Sequence, residues 1–137
     1  HSVNLSQAVT TFPTPTSREW KGGRRPETLR AAGRTPTNSL CDTINALEQE
    51  SDGNLLNPDW VEWLMGLPVG WTSIDADVPH TVPGDYWDAE PDIPRVSGSM
   101  PHRADRIKCL GNMVVPRQFH PIFAAIAEIE NNKKSEG

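Results

Sequence analysis

The chain has 137 residues, the size of one ordinary domain and too short to hold a cofactor domain beside a separate recognition domain. Its 36% hydrophobic content, 13 Pro and 10 Gly, with a mean hydropathy of -0.54, leave no apolar run near the roughly 18 residues that cross a bilayer, and much of the backbone should be loop. The net charge of -5 disfavours a general polyanion binder, yet it averages over two unlike segments. Arg18, Lys21, Arg24, Arg25, Arg30 and Arg34 crowd the first quarter against only Glu19 and Glu27, whereas residues 42–90 contain no Lys or Arg.

Residues 1–11 have neither a basic start nor a hydrophobic stretch of the signal-peptide kind, so a cytoplasmic protein is expected. The Thr- and Pro-rich run at 10–16 (TTFPTPT) predicts an extended arm, because each X-Pro step pushes the preceding residue away from helix. A basic loop hinged at Gly22-Gly23 follows and ends in a short helical turn between Pro26 and Gly33. Thr37 or Asn38 is placed to cap a helix with Leu40, Ile44 and Leu47 on one buried stripe, running to about residue 50.

Asn57-Pro58-Asp59 supplies a cap, a first-turn proline and an N-terminal carboxylate for a helix ending at Gly66. Trp60, Val61, Trp63, Leu64 and Met65 cover most of its circumference, so it must be buried, with Ile74 closing the apolar cluster. Trp60, Trp63 and Trp71 read as core before base-stacking platforms. Five prolines between 75 and 102 predict an acidic loop, in which Tyr86-Trp87 is either a partner anchor or local packing.

A short helix is expected over 103–110, broken by Gly111-Asn112, a pair that tolerates positive φ. Phe119, Ile122, Phe123, Ile126 and Ile129 then mark a last helix with a continuous apolar face, Pro121 requiring a kink or a restart and residues 131–137 fraying. Cys41 and Cys109 lie far apart in no ligand spacing and read as free buried thiols. His80, His102 and His120, each beside a proline, read as loop histidines rather than metal ligands.

Two stretches carry a resemblance: LNPDWVEWLMGLPVGWTSI at 56–74 and RADRIKCLGNMVVPRQFHPIFAAI at 103–126. In that order they resemble the closing motifs of phage and prophage DNA cytosine-5 methyltransferases: a helix leading into a Gly-hydrophobic-Pro-x-x-Trp turn, then a Gly-Asn-x-Val-x-Pro turn opening the C-terminal helix. FPTPTSREWKGGRRPETL is similar to segments of the family's target-recognition regions, and residues 75–102 stay unmatched. Members of that family attack cytosine with a Pro-Cys thiolate and hold S-adenosylmethionine in a doubly wound sheet behind a Gly-rich loop. Here Cys41 follows Leu40, Cys109 follows Lys108, and no such Gly-rich loop occurs.

The resemblance therefore implies a mainly α module with extensive irregular loops and little strand, not a complete Rossmann-type methyltransferase domain. It divides into an arm and basic loop (1–36), a Trp-rich recognition core (37–74), an acidic insertion (75–102) and a closing helix (103–137). It implies double-stranded DNA as a partner, with Arg18, Lys21, Arg24, Arg25, Arg30 and Arg34 on phosphates or guanine edges; without a ligand these are a solvated basic loop. It implies a catalytic methyltransferase subunit as second partner, with Asn112, Met113 and Val114 toward S-adenosylmethionine only in that assembly, and no catalytic residue in the chain itself. A stand-alone association module, possible as a homo-oligomer, is the alternative.

Overall fold

A computed structural model describes residues 3–48, 55–75, 77–78, 82–113 and 116–136, by backbone alone at 116–118. The chain is mainly helical with little strand.

Helix α1 (Leu5–Thr11) opens with a reciprocal cap: Asn4 Oδ1 accepts from Gln7 N at 2.9 Å and Gln7 Oε1 accepts from Asn4 N at 3.2 Å. It takes in Thr10 and Thr11, which were expected in the extended arm; Pro13 governs only residue 12, where the helix indeed stops. Leu5, Ala8 and Phe12 plug into the core. A 3-10 turn over Ser17–Lys21 follows, and α2 (Pro26–Ala31) starts at its proline and stops before Gly33 at φ 66°. Residues 3–35 thus hold two helices and a 3-10 turn, anchored to the rest by Leu5, Ala8, Phe12 and Leu29.

Helix α3 (Leu40–Leu47) is capped by Ser39, whose Oγ accepts from Asp42 N at 3.1 Å; Thr37 and Asn38, the expected caps, sit in the preceding 3-10 turn. Leu40 and Ile44 are buried as their spacing predicts, but Leu47 is 55% exposed, and the helix ends there rather than near residue 50. Residue 50 lies outside the described residues.

Strand β1 (Leu55–Leu56) pairs antiparallel with β2 (Val96–Ser97), Leu55 opposite Ser97 and Leu56 opposite Val96. The pair delivers the chain into α4 (Pro58–Leu64) through Asn57, which caps Asp59 N and donates its own N–H to Arg95 O at 2.9 Å. Trp60 and Trp63 are fully buried, with Phe12 edge-on to Trp60 at 5.4 Å. Gly66, at φ 79°, ends this helix as expected. The described part of 75–102 is irregular apart from β2 and a 3-10 turn at Gly84–Trp87, where Tyr86 and Trp87 pack against the core and Tyr86 Oη accepts from Val69 N at 3.0 Å.

Helix α5 (Arg103–Asn112) runs through Gly111-Asn112, so the expected break is instead its last turn. Gly111 is there for closeness: a Cβ would lie 2.2 Å from Ser17 N and Thr16 C, so only glycine lets α5 lie on the backbone of the 3-10 turn. Helix α6 (Pro116–Ser135) is one element with Pro121 inside it, and it continues through residues expected to fray. Its described side chains are all exposed.

Candidate nucleic-acid interface

The 3-10 turn, the glycine pair and α2 bring Arg18, Lys21, Arg24 and Arg34 to one open cleft of about 880 Å³, floored by Gly22, Gly23 and the start of α3. All six cations of the basic segment are solvent-exposed, and Arg25 and Arg30 lie outside that cleft lining. Two carboxylates shape the cleft. Asp42 Oδ1 accepts from Arg24 N at 2.7 Å, which fixes the loop to α3. The buried Glu19 accepts from Leu40 N at 3.0 Å and from Cys41 N at 3.1 Å, so its charge is spent on the amino end of α3 rather than on the arginines. Gly23 is as constrained as Gly111: a Cβ would meet Asn45 Nδ2 at 2.2 Å and Cys41 O at 2.6 Å.

Behind the cleft, α4 and α5 are joined by buried charge. Glu62, fully buried, accepts from Gly70 N at 2.5 Å, from Thr72 N at 2.8 Å, from the Thr72 hydroxyl and from Arg106 Nη2 at 2.9 Å. Arg106 also donates to Asp59 at 2.5 Å and to Thr72 Oγ1 at 2.9 Å. Burial works to lower the Arg106 pKa, and the Asp59 and Glu62 carboxylates outweigh it, so the guanidinium stays charged. This network stitches the Gly-Leu-Pro-Val-Gly-Trp turn to the helix carrying Gly-Asn, the two stretches quoted above as separate motifs. Arg103, whose pKa burial lowers, reaches from the same helix to Trp20 O at 2.6 Å and so ties α5 to the basic segment. Lys108 Nζ lies 4.6 Å from the Trp20 ring centre.

The sequence reading missed Glu19, Glu62, Arg103 and Arg106. The usable signal was a carboxylate at 62 on a helix otherwise apolar all round, since a charge there must be buried and answered. It also placed Trp71 and Ile74 inside, whereas they are 43% and 75% exposed. The Glu62 bonds hold the backbone at 70 and 72, and the side chains on either side point outward. They wall a groove of about 390 Å³ whose floor is one side of α5, with Cys109 and Met113 among its lining.

Of the residues expected toward a cofactor, Asn112 is exposed in the last turn of α5, Met113 lines that groove, and Val114 lies outside the described residues. Cys41 is buried as expected; burial and the neighbouring Glu19 push its thiol pKa far up, and its Sγ donates to Glu19 O at 3.1 Å, so it has no nucleophile's environment. Cys109 is exposed, contrary to expectation, because it faces the groove. His102 is the one described non-glycine residue at positive φ, 55°, just before α5; His120 is on α6 rather than in a loop; His80 lies outside the described residues. Among the described residues no cluster of three or more metal-ligating side chains forms, and no helix is long and apolar enough to cross a membrane.

No protein-family model matches the chain, and neither a curated protein nor a solved structure matches it.

Proposed function

We propose that the chain is the DNA-recognition and closure module of a cytosine-5 methyltransferase of the phage or prophage type, completed for methyl transfer by a separate catalytic part. The observation that carries this reading is the basic cleft: four of the six cations picked out in the sequence converge on one exposed surface, on a glycine-hinged loop whose nearby carboxylates are occupied with backbone. Such a surface suits duplex phosphate, with arginines able to reach guanine O6 and N7 in the major groove. Extruding a cytosine costs a few kcal/mol, which contacts of this kind offset. The exposed apolar side of α6 supports the second half of the reading, a face for the catalytic part.

The residues present do not by themselves fit S-adenosylmethionine. Among the described residues, Met113 meets a mainly apolar groove and Asn112 projects into solvent, so neither is placed to bind the cofactor's charged end. The exposed apolar surface equally favours the second reading, an association module without enzymatic role.

Fluorescence-anisotropy titration of labelled duplex DNA against salt tests the proposal. Binding should fall linearly in log-log form, and Arg24→Ala with Arg34→Ala should each reduce the slope by about 0.9 for a lost phosphate contact. A slope unchanged by both substitutions, or methyl transfer from S-adenosylmethionine by the isolated chain, overturns it.

A further inference from the structure

Trp20 is the meeting point of the basic segment and α5. Arg103 of α5 donates to Trp20 O at 2.6 Å, and Gly111 lets the same helix lie on the backbone of Thr16 and Ser17, so the 3-10 turn carrying Arg18 and Lys21 is held against α5. One lysine from each element then reaches the half-buried indole: Lys21 Nζ lies 5.7 Å from the ring centre and Lys108 Nζ 4.6 Å. Measured through that shared centre, the two ammonium groups are no more than about 10 Å apart, the screening length at 0.1 M salt, so a strand of anions passing the ring is attracted by both. The other α5 cations are engaged elsewhere. Arg103 and Arg106 are buried, the first bonded to the carbonyls of Leu56 and Trp20, the second to Asp59, Glu62 and Thr72. Lys108 keeps 44% of its side chain in solvent, and its ion-pair partner among the described residues is Asp105 at 3.8 Å, three residues back on the helix and itself exposed. An exposed pair of that length holds little, and a phosphate can displace it.

We propose that Lys108 is a phosphate-contacting residue, so that the DNA footprint runs from the basic cleft past the Trp20 ring onto α5. Lys21 lines the cleft and also approaches the ring, so it belongs to both parts of that surface. One strand presents a phosphate every roughly 3.4 Å of helix axis, which puts the phosphates met by Lys21 and Lys108 within about three steps of each other. The inference rests on the recognition reading of the cleft and deepens it: α5, the helix of the Gly-Asn stretch, becomes part of the DNA surface as well as its support.

Anisotropy titration of labelled duplex DNA across a salt series reads the contact. Lys108→Met keeps an unbranched stem against Trp20 and removes the ammonium, and it should reduce the log-log salt slope by about 0.9. Lys108→Arg, which keeps the charge, should keep the parent slope. Lys133→Ala, in the last turn of α6, removes a surface cation away from the ring and should keep it as well. The deficits of Lys108→Met and Arg24→Ala should add in the double variant, to about 1.8, because each removes a separate phosphate contact. A parent slope in Lys108→Met, while Arg24→Ala and Arg34→Ala each reduce theirs, overturns the α5 contact and leaves the cleft reading standing. An equal reduction by Lys133→Ala overturns it too, since any surface cation would then serve. No duplex binding at any salt removes both readings together.

Discussion

Helices α4 and α6 carry comparable apolar patterns and meet opposite fates. In α4, Trp60, Val61 and Trp63 are fully buried, and the one carboxylate caught among them, Glu62, is answered by two backbone N–H groups, a hydroxyl and Arg106. In α6, five large apolar side chains stand in solvent with no cover from the described chain. Periodicity tells which side of a helix is apolar; whether the same chain supplies something to cover it is a separate fact, set by tertiary structure. The α4–α5 hub is closed by its own residues, whereas the described side chains of α6 meet no cover from the described chain.

The hardest way to break that contrast is at the hub. Arg106→Ala leaves Glu62 buried without its cation, and removing one partner of a buried pair costs about 3–5 kcal/mol. Urea unfolding followed by tryptophan fluorescence should show it as a large drop in midpoint. A loss under about 1 kcal/mol, the size of an exposed pair, would mean the hub is not what holds α4 to α5. Gly111→Ala comes next. Its Cβ has to force α5 off the Thr16–Ser17 backbone, an overpacking that costs about 1–3 kcal/mol, and unfolding midpoints that match the parent chain would show that the close approach is not required.

Much of the fold was legible because the signals were local. Asn57-Pro58-Asp59 set α4 at its true start, Pro26 and Gly33 bracketed α2, and the described part of the proline-rich 75–102 is irregular apart from β2 and one 3-10 turn. The errors share a cause as well. Ile74 and Trp71 were placed inside on hydrophobicity, but Glu62 bonds to the backbone at 70 and 72 and turns them outward, a bond between positions eight and ten residues apart that no local pattern announces. Gly111-Asn112 was read as a break because glycine permits one; here glycine serves a long-range approach to Ser17, and the helix simply continues. Of the candidate site, the cations were visible by type and clustering. The carboxylates that arrange them, Glu19 and Asp42, were not, since Glu19 looks from sequence like one more surface charge.

A smaller effect is expected at the edge of the core, where Glu90 accepts from Arg95 Nε and Trp60 Nε1, both at 2.7 Å. Burial alone would raise this carboxyl pKa, but the Arg95 and Trp60 hydrogen bonds outweigh it and hold it below its ordinary 4.5. A carboxylate with a depressed folded-state pKa stabilises the fold above its unfolded pKa, and that contribution is lost as pH falls through the folded value. The denaturation midpoint should therefore decline as pH drops below 4.5, and Arg95→Met should flatten that acid limb. An acid limb of the same steepness in the variant would assign the pH dependence to other carboxylates.

The smallest expected effect makes the comparison sharpest. Ile126→Asp places a charge in the middle of the exposed apolar stripe of α6, a change that in α4 would be ruinous. Ile126 is 51% exposed, however, and none of the described residues covers its side chain, so the substitution exposes no core and strands no buried partner. At concentrations low enough for single chains, the unfolding midpoint should move within about 0.5 kcal/mol of the parent, the ordinary range for a surface substitution. If dilute Ile126→Asp already loses several kcal/mol, α6 is sealed against its own chain in solution, and the contrast between the two helices collapses.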